Sequence, residues 1–137
     1  MYAKIIVAVN VGDLERGEKI LRKAATLRDT GGEIILLNVV GDLPHYMEIE
    51  VPVDLIGKVL HEARERFVAL KEGVGVVARV VIRSGAPARE ILATAQDVAA
   101  DLIVAASHIP GLSNYFIGAT ADRIVRHAKR SVLVDRS

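Results

Sequence analysis

Short apolar runs alternate along this chain with longer stretches whose apolar residues recur every three or four positions, and this alternation constrains the fold more than any other feature. The apolar runs are rich in β-branched residues and mostly lack polar alternation, which is typical of strands buried on both faces of a sheet. The runs cover residues 5–9, 34–40, 76–82, 102–106 and 132–134. They predict five buried strands.

Four stretches of helical period separate these strands, and each would present one apolar stripe to a core. Their apolar positions are 14, 21, 24 and 25; 53, 56, 60, 63, 67 and 70; 88, 91, 95 and 98; and 117, 121, 124, 125 and 128. We expect the first helix to end before Gly31-Gly32 and the second before Gly73 and Gly75. Pro87 predicts the start of the third helix, where its missing N–H costs no hydrogen bond.

The resulting β-α-β-α-β-α-β-α-β order predicts an α/β fold in three layers: a doubly wound, mainly parallel sheet with helices on both faces. Residues 1–137 are expected to form a single domain. Ligands of such sheets bind at the carboxyl edge where strand order reverses, here expected between the first and fourth strands. We expect the irregular stretch 41–52 to cover this edge, with Pro44, His45 and Tyr46 near a ligand.

Composition excludes several classes of function. Eighteen Lys and Arg oppose seventeen Asp and Glu without a long basic run, so no nucleic-acid or anionic-membrane partner is indicated. Cysteine is absent, which removes disulfides, thiolate metal sites and a thiol nucleophile and favours a reducing compartment. The opening MYAKIIVAVN has only five consecutive apolar residues, too few for a membrane span. We therefore expect a cytoplasmic protein.

Familiar catalytic and nucleotide motifs are missing at the positions where this fold would carry them. The first strand leads into Asn10-Val11-Gly12-Asp13, which matches neither a Walker loop nor a G-x-G-x-x-G fingerprint. The helix sequence HEARE at 61–65 lacks the second histidine of a zinc site. Ser107-His108 has no orienting carboxylate nearby in sequence, which favours loop hydrogen bonding over catalysis. We therefore predict neither catalytic residues nor a metal site.

Residues 102–134 carry the clearest functional signal. Gly111 and Gly118 bracket a loop that ends where the fourth helix starts. Ala119, Thr120 and Ala121 would present unpaired backbone N–H groups at that helix N-terminus, and such a terminus attracts anions. The same position lies at the expected switch point of the sheet. Both arguments predict a phosphate site.

The whole chain resembles the universal stress protein (UspA-like) family. The resemblance rests on the opening IIVAV, LLNV in the second strand, SGAPAREIL at 84–92, ADLIV at 100–104 and the closing VRHA and SVLV segments. The family's usual nucleotide signature is G-x-x-G, nine residues, then G-[ST]. The resemblance implies a Rossmann-like sheet of strand order 3-2-1-4-5 and binding of ATP or another adenine nucleotide.

The signature departs from the family pattern in this chain. Ala106 and Ile109 replace the first glycine pair, eight residues separate Ile109 from Gly118, and Ala119 replaces the usual hydroxyl residue. SHIPGLSNY at 107–115 resembles a branch similar to the enterobacterial F and G members, which shares the shortened spacing. Asn10 stands where the family usually has Asp.

The resemblance places a nucleotide between the first and fourth strands. Adenine would lie against Val9, Val39 and Ala105; the ribose near Asn10 and Gly111; and the phosphates over Ser113, Gly118, Ala119 and Thr120, with Ser107 also in the site. Mg²⁺ would enter only with the nucleotide. The apolar residues serve a core in any case, Asn10 could simply cap a turn, and Gly118 could be required only for its backbone angle.

Two functions fit these residues. One is a cytoplasmic dimer that binds an adenine nucleotide and signals through its occupied state; the other is a nucleotide-free dimeric adaptor that acts through partner proteins. Slow ATP hydrolysis or self-modification lacks a base, because we expect no acidic residue at the pocket. The dimer would form through the apolar last strand, residues 131–134, and could associate further into a tetramer.

Overall fold

The computed structural model describes residues 2–10, 12–40, 53–106 and 118–136. Within these ranges strand and helix alternate in the predicted order. The elements are β1 (Tyr2–Ala8), α1 (Leu14–Leu27), β2 (Arg28–Val40), α2 (Val53–Val74), β3 (Arg79–Ser84), α3 (Pro87–Asp97), β4 (Leu102–Ala106), α4 (Ala119–His127) and β5 (Ser131–Asp135).

The strands form one sheet in the order β3-β2-β1-β4-β5, and every neighbouring pair is parallel. This confirms the predicted α/β fold and its strand order. Strand β1 lies between β2 and β4. The chain first places β2 and β3 on one side of β1 and then places β4 and β5 on its other side. The carboxyl ends of β1 and β4 therefore flank the crevice where sheets of this kind bind ligands.

Two apolar layers hold the helices against the sheet. Strand residues alternate between the layers, so Ile5 and Val7 lie in one and Ile6 in the other. The first layer receives side chains from α1 and α2, including the fully buried Phe67, and the second receives those of α3 and α4, including Ile124. This arrangement explains why the strand sequences are apolar at consecutive positions.

Strand β2 begins six residues earlier than the predicted start at residue 34. Its first residues are polar or glycine, but they pair with β1 through an irregularity, since the register jumps from Tyr2–Arg28 to Lys4–Glu33. A Cβ at Gly32 would lie 2.9 Å from the Ala3 carbonyl oxygen, so the two backbones approach too closely there for a larger residue. The early part of this strand is held by backbone pairing, which produces no apolar pattern in the sequence. Gly31-Gly32 therefore lie inside the strand.

Strand β3 begins three residues later than predicted, because α2 and its turn occupy more of the chain. Gly73 lies within the last turn of the helix, and Gly75 ends it with a φ of +77° that suits glycine. The N–H groups of Gly75 and Val76 both donate to the Lys71 carbonyl oxygen. Val77 follows with 82% of its surface exposed. This valine contributed to the predicted apolar run but does not belong to the sheet.

Helices α3 and α4 cover the second face of the sheet. Pro87 occupies the start of α3, as predicted, with Ala86 as the N-cap. Helix α4 begins at Ala119 and carries Arg126 and His127 in its last turn, where positive charge suits the helix dipole. Across the described ranges, no helix combines the length and apolar character needed to cross a membrane.

Candidate functional site

A cavity of about 790 Å³ opens at the carboxyl edge of the sheet. The ends of β1, β2 and β4 form its floor, and α1, α2, α3 and α4 contribute to its walls. Seven of the residues predicted from the sequence line it: Val9, Asn10, Val39, Ala105, Gly118, Ala119 and Thr120. Residues from four separate stretches of the chain thus meet in one cavity. Its volume falls within the range of small-molecule sites.

The remaining predicted residues lie outside the part of the chain that the structure describes. These are Ser107, Gly111 and Ser113, together with the predicted cover at Pro44, His45 and Tyr46. The cavity is therefore characterised from its sheet floor, its helical walls and the first turn of α4.

The cavity floor is apolar and held by sheet hydrogen bonds. The N–H of Val9 donates to the Leu37 carbonyl oxygen at 3.0 Å, which continues the β1–β2 pairing beyond the last residue of β1. Ala105 pairs with Ala8 across the β1–β4 boundary. Val9 and Ala105 are nearly buried, whereas Val39 is partly exposed. Val9 belongs to the first core layer and Val39 and Ala105 to the second, so the floor spans the strand ends on both faces of the sheet and contributes to the core whether or not the cavity is filled.

The first turn of α4 supplies hydrogen-bond donors to the opposite wall. The first bond of the helix runs from the Asp122 N–H to the Gly118 carbonyl oxygen at 2.9 Å, so the N–H groups of residues 119–121 precede the helical ladder. Gly118 is the N-cap, with φ −59° and ψ 153°. Any residue can adopt that conformation, so the idea that glycine is needed here for its backbone angle is wrong. The helix dipole adds partial positive charge at this wall.

Asn10 forms a turn at the end of β1. Its Oδ1 accepts a hydrogen bond from the Gly12 N–H at 2.9 Å, and its carbonyl oxygen accepts one from the Asp13 N–H at 3.0 Å. Asp13 then caps α1, because its side chain accepts from the Arg16 N–H. The turn-capping role considered for Asn10 is therefore present, and the exposed asparagine also lines the cavity.

A charged rim between α1 and α2 was missed by the sequence analysis. Asp13 and Arg16 come from α1 and its cap, while Glu62 and Arg66 come from α2. The expectation that no acidic residue marks the pocket is wrong, because the start of α1 and the middle of α2 both reach this edge. The spacing of Glu62 and Arg66, one helical turn apart, was a usable signal. The spacing alone did not indicate a site, because the sequence does not show that α2 lies beside the strand ends.

The rim residues differ in their pairing. The Arg16 guanidinium lies 3.3 Å from Asp13, with 17% of its side chain exposed. Glu62 and Arg66 are exposed, and neither makes a hydrogen bond or ion pair with another residue of the described ranges. The four charges balance formally, and Glu62 lies one helical turn from Arg66, so local attraction for an anion would come mainly from the α4 N-terminus.

Comparison with known proteins gives a consistent result. The family model described as "Universal stress protein family" matches residues 1–136. Universal stress protein G of Shigella flexneri is 29% identical over 99% of this chain and 100% of its own length. Among solved structures, hypothetical protein MJ0577 is 25% identical with a TM-score of 0.79, covering 100% of this chain and 97% of its own.

A further solved relative is described with a ligand. The universal stress protein from Archaeoglobus fulgidus in complex with dAMP is 20% identical, with a TM-score of 0.62 and 98% coverage of both chains. The fold, the strand order and the family match over nearly all residues agree with one another. This chain belongs to the universal stress protein family.

Proposed function

We propose that this protein is a cytoplasmic, dimeric signalling module of one domain, residues 1–137, that binds an adenine nucleotide in the cavity at the sheet edge. The observation that carries the proposal is the convergence of Val9, Asn10, Val39 and Ala105 with the first turn of α4 in one cavity. The A. fulgidus relative described in complex with dAMP supports an adenine nucleotide as the ligand class.

The chemistry of the walls suits the parts of a nucleotide. The base would lie on the apolar floor made by Val9, Val39 and Ala105, and the ribose beside Asn10 and Gly111. The phosphates would accept hydrogen bonds from the N–H groups at the start of α4 and lie near Ser113. Charge-assisted bonds from backbone N–H groups are stronger than neutral ones, so this contact would supply much of the affinity. Any Mg²⁺ would arrive bound to the phosphates.

An adaptor without nucleotide is the second function, and the turn at Asn10 favours it. The Asn10 Oδ1 is already used by the Gly12 N–H, which reduces what this side chain can offer a ribose. The adaptor would keep the same fold and act only through protein partners. The two functions differ in whether the cavity is occupied in the native protein.

Native mass spectrometry of freshly purified protein, followed by titration calorimetry with ATP, ADP and AMP, tests the proposal. We expect a co-purified adenine nucleotide, or binding to the stripped protein with one site per chain. Protein that carries no nucleotide and gives no heat with any of the three would contradict the binding function and favour the adaptor. Hydrolysis of added ATP, followed over the same period in the wild type, Asp13→Asn and Glu62→Gln, would show whether either carboxylate supports slow turnover.

A further inference from the structure

Strand β3 lies at one edge of the sheet, because within the described ranges it pairs only with β2. Along an extended strand, the N–H and C=O groups of one residue point to one side and those of the next residue to the other. The Gly85 N–H donates to the Val40 carbonyl oxygen of β2. The Val77 carbonyl oxygen accepts from Arg28, at the start of β2. Odd-numbered residues of 77–85 therefore direct their backbone groups toward β2, and even-numbered residues direct theirs outward, into the edge.

Two side chains of α2 donate hydrogen bonds to this outward side. Arg64 Nη1 lies 3.2 Å from the Val80 carbonyl oxygen. Lys71 Nζ lies 3.1 Å from the Ala78 carbonyl oxygen. Positions 78 and 80 are both even, so both carbonyl groups face away from β2. The two side chains therefore reach around the edge of the sheet and occupy acceptors that an added strand would use.

The spacing of the two donors along α2 suits the strand beside it. Arg64, Val68 and Lys71 are four and three positions apart and lie on one face of the helix. Val68 packs against the first core layer, which holds this face beside β3. Arg64 reaches residue 80 and Lys71 reaches residue 78, an order that is reversed because α2 runs opposite to the strand into which it leads. The long aliphatic stems of both side chains span the gap between the helix and the edge.

The charges of β3 itself give only part of the protection against strand pairing. Arg79 lies 3.1 Å from Glu33. Arg83 lies 3.0 Å from Asp97, so both arginines of this edge strand have a carboxylate partner within the chain. Beyond the two occupied carbonyl groups, only residues 82 and 84 of β3 face outward, and so short a segment is a poor template for pairing. The hydrogen bonds from α2 therefore determine whether the edge is long enough to accept a strand.

We propose that Arg64 and Lys71 close the β3 edge to strand addition by a second copy of the chain and thereby keep the assembly finite. An identical β3 strand would add antiparallel about a two-fold axis, since that arrangement makes the two copies equivalent. Together with the expected contact at β5, such a contact would join copies at both edges of the sheet. Each added copy would then present a further free edge, so an open-ended row would form instead of a closed dimer. This closure does not depend on whether the cavity binds a nucleotide.

Measurements of mass in solution test the closure. The opened variant combines Arg64→Met with Lys71→Met, which keeps an aliphatic stem and a good helix former at each position but removes the donors. In light scattering we expect particles of about twice the wild-type mass or more, growing with protein concentration. The matched control combines Lys19→Met with Arg22→Met, which removes one lysine and one arginine from the exposed face of α1. The control should keep the wild-type mass.

Amide hydrogen exchange shows whether β3 is the surface through which the copies meet. The N–H groups of Val80 and Ile82 face outward, so they should exchange about tenfold more slowly, or slower still, in the assembled opened variant than in the wild type. Adding Val134→Lys, which places a charge on the edge strand β5, should stop the growth at a dimer joined through β3. If circular dichroism shows that the opened variant is unfolded, either single substitution provides the test, because each frees one carbonyl group.

Three outcomes would overturn the closure. The first is an opened variant that keeps the wild-type mass at every concentration. The second is a set of larger particles in which Val80 and Ile82 exchange as fast as in the wild type, because the copies would then meet at another surface. The third concerns Arg64→Lys combined with Lys71→Arg, which retains a donor at both positions and should keep the wild-type mass. Growth of that conservative variant would contradict the role of these hydrogen bonds.

Discussion

At the scale of single residues, the phosphate end of the cavity depends on backbone groups more than on side chains. Gly118 and Ala119 contribute no side-chain hydrogen bond, and the family's usual hydroxyl residue is absent at position 119. The N–H groups of the first α4 turn remain available as a cradle. Substitutions at these two neighbouring positions should therefore act in opposite directions.

We expect Gly118→Val to abolish ATP binding and Ala119→Ser to strengthen it by about tenfold or more. Valine can adopt the φ of −59° at position 118, so its effect would come from a branched side chain at the cavity wall and not from backbone strain. Serine at position 119 adds a donor to a charged phosphate, worth roughly 1.5–3 kcal/mol. Titration calorimetry measures both affinities, and circular dichroism checks that each variant is folded.

General destabilisation would not mimic this pair of results, because it would lower affinity at both positions. A loss of affinity in both variants, or no change in either, would contradict a phosphate site at the α4 N-terminus. Ala119→Gly serves as a control, since it alters the same position without adding a hydroxyl group and should not increase affinity.

At the scale of secondary-structure elements, Gly17 sets how closely α1 approaches the sheet. A Cβ at this position would lie 2.7 Å from Val9 Cγ1 and 3.3 Å from Leu70 Cδ2. The helix therefore touches both the end of β1 and α2 at a point where only hydrogen fits. Because Val9 also forms part of the cavity floor, this contact links helix packing to the shape of the site.

Alanine substitutions at Gly17 and Gly73 should have opposite effects on stability. At Gly17, overpacking costs about 1–3 kcal/mol and exceeds the helix-propensity gain of about 1 kcal/mol. At Gly73, a Cβ would meet no atom within 4 Å, so the propensity gain should remain, at about 0.5–1 kcal/mol. Urea unfolding measures both changes in the free energy of unfolding.

The cavity provides a second readout for the same pair of variants. Gly17→Ala should also weaken ATP binding, because Val9 must shift, whereas Gly73→Ala should leave the affinity unchanged. Stabilisation of the protein by both substitutions would mean that α1 can move away from β1 without cost, and would contradict the close contact.

The elements that the sequence predicts well are those whose side chains meet the core. Strand β4 matches its predicted bounds because Leu102 and its neighbours are buried on both faces. The start of β2 and the later start of β3 were missed because backbone pairing and helix length determine them, and neither produces an apolar period. The rim residues of α2 were missed for a related reason: their role depends on how α2 packs beside α1, which no local pattern encodes.

At the scale of the whole molecule, the two edges of the sheet differ in character. Edge strand β3 carries Arg79 and Arg83, and Arg79 lies 3.1 Å from Glu33 of β2. Charged residues on an edge oppose pairing with another chain. The other edge strand, β5, has Val132, Leu133 and Val134 in succession, and among the described residues it is hydrogen-bonded to β4 on one side only. An open apolar edge of this kind favours association between copies of the chain.

We expect a homodimer through β5, with a mass of twice 14.8 kDa or a multiple of it in light scattering at micromolar concentration. Val134 is partly exposed and, unlike Leu133, belongs to neither core layer, so Val134→Lys should break the dimer without unfolding the protein. Val77→Lys is the matched control, because Val77 is 82% exposed and lies outside the strands. The Val77→Lys protein should have the same mass in solution as the wild type.

A wild-type monomer would refute the dimer. A Val134→Lys protein that stays dimeric would place the interface elsewhere, because a lysine at this position would put unpaired charges against the apolar partner edge.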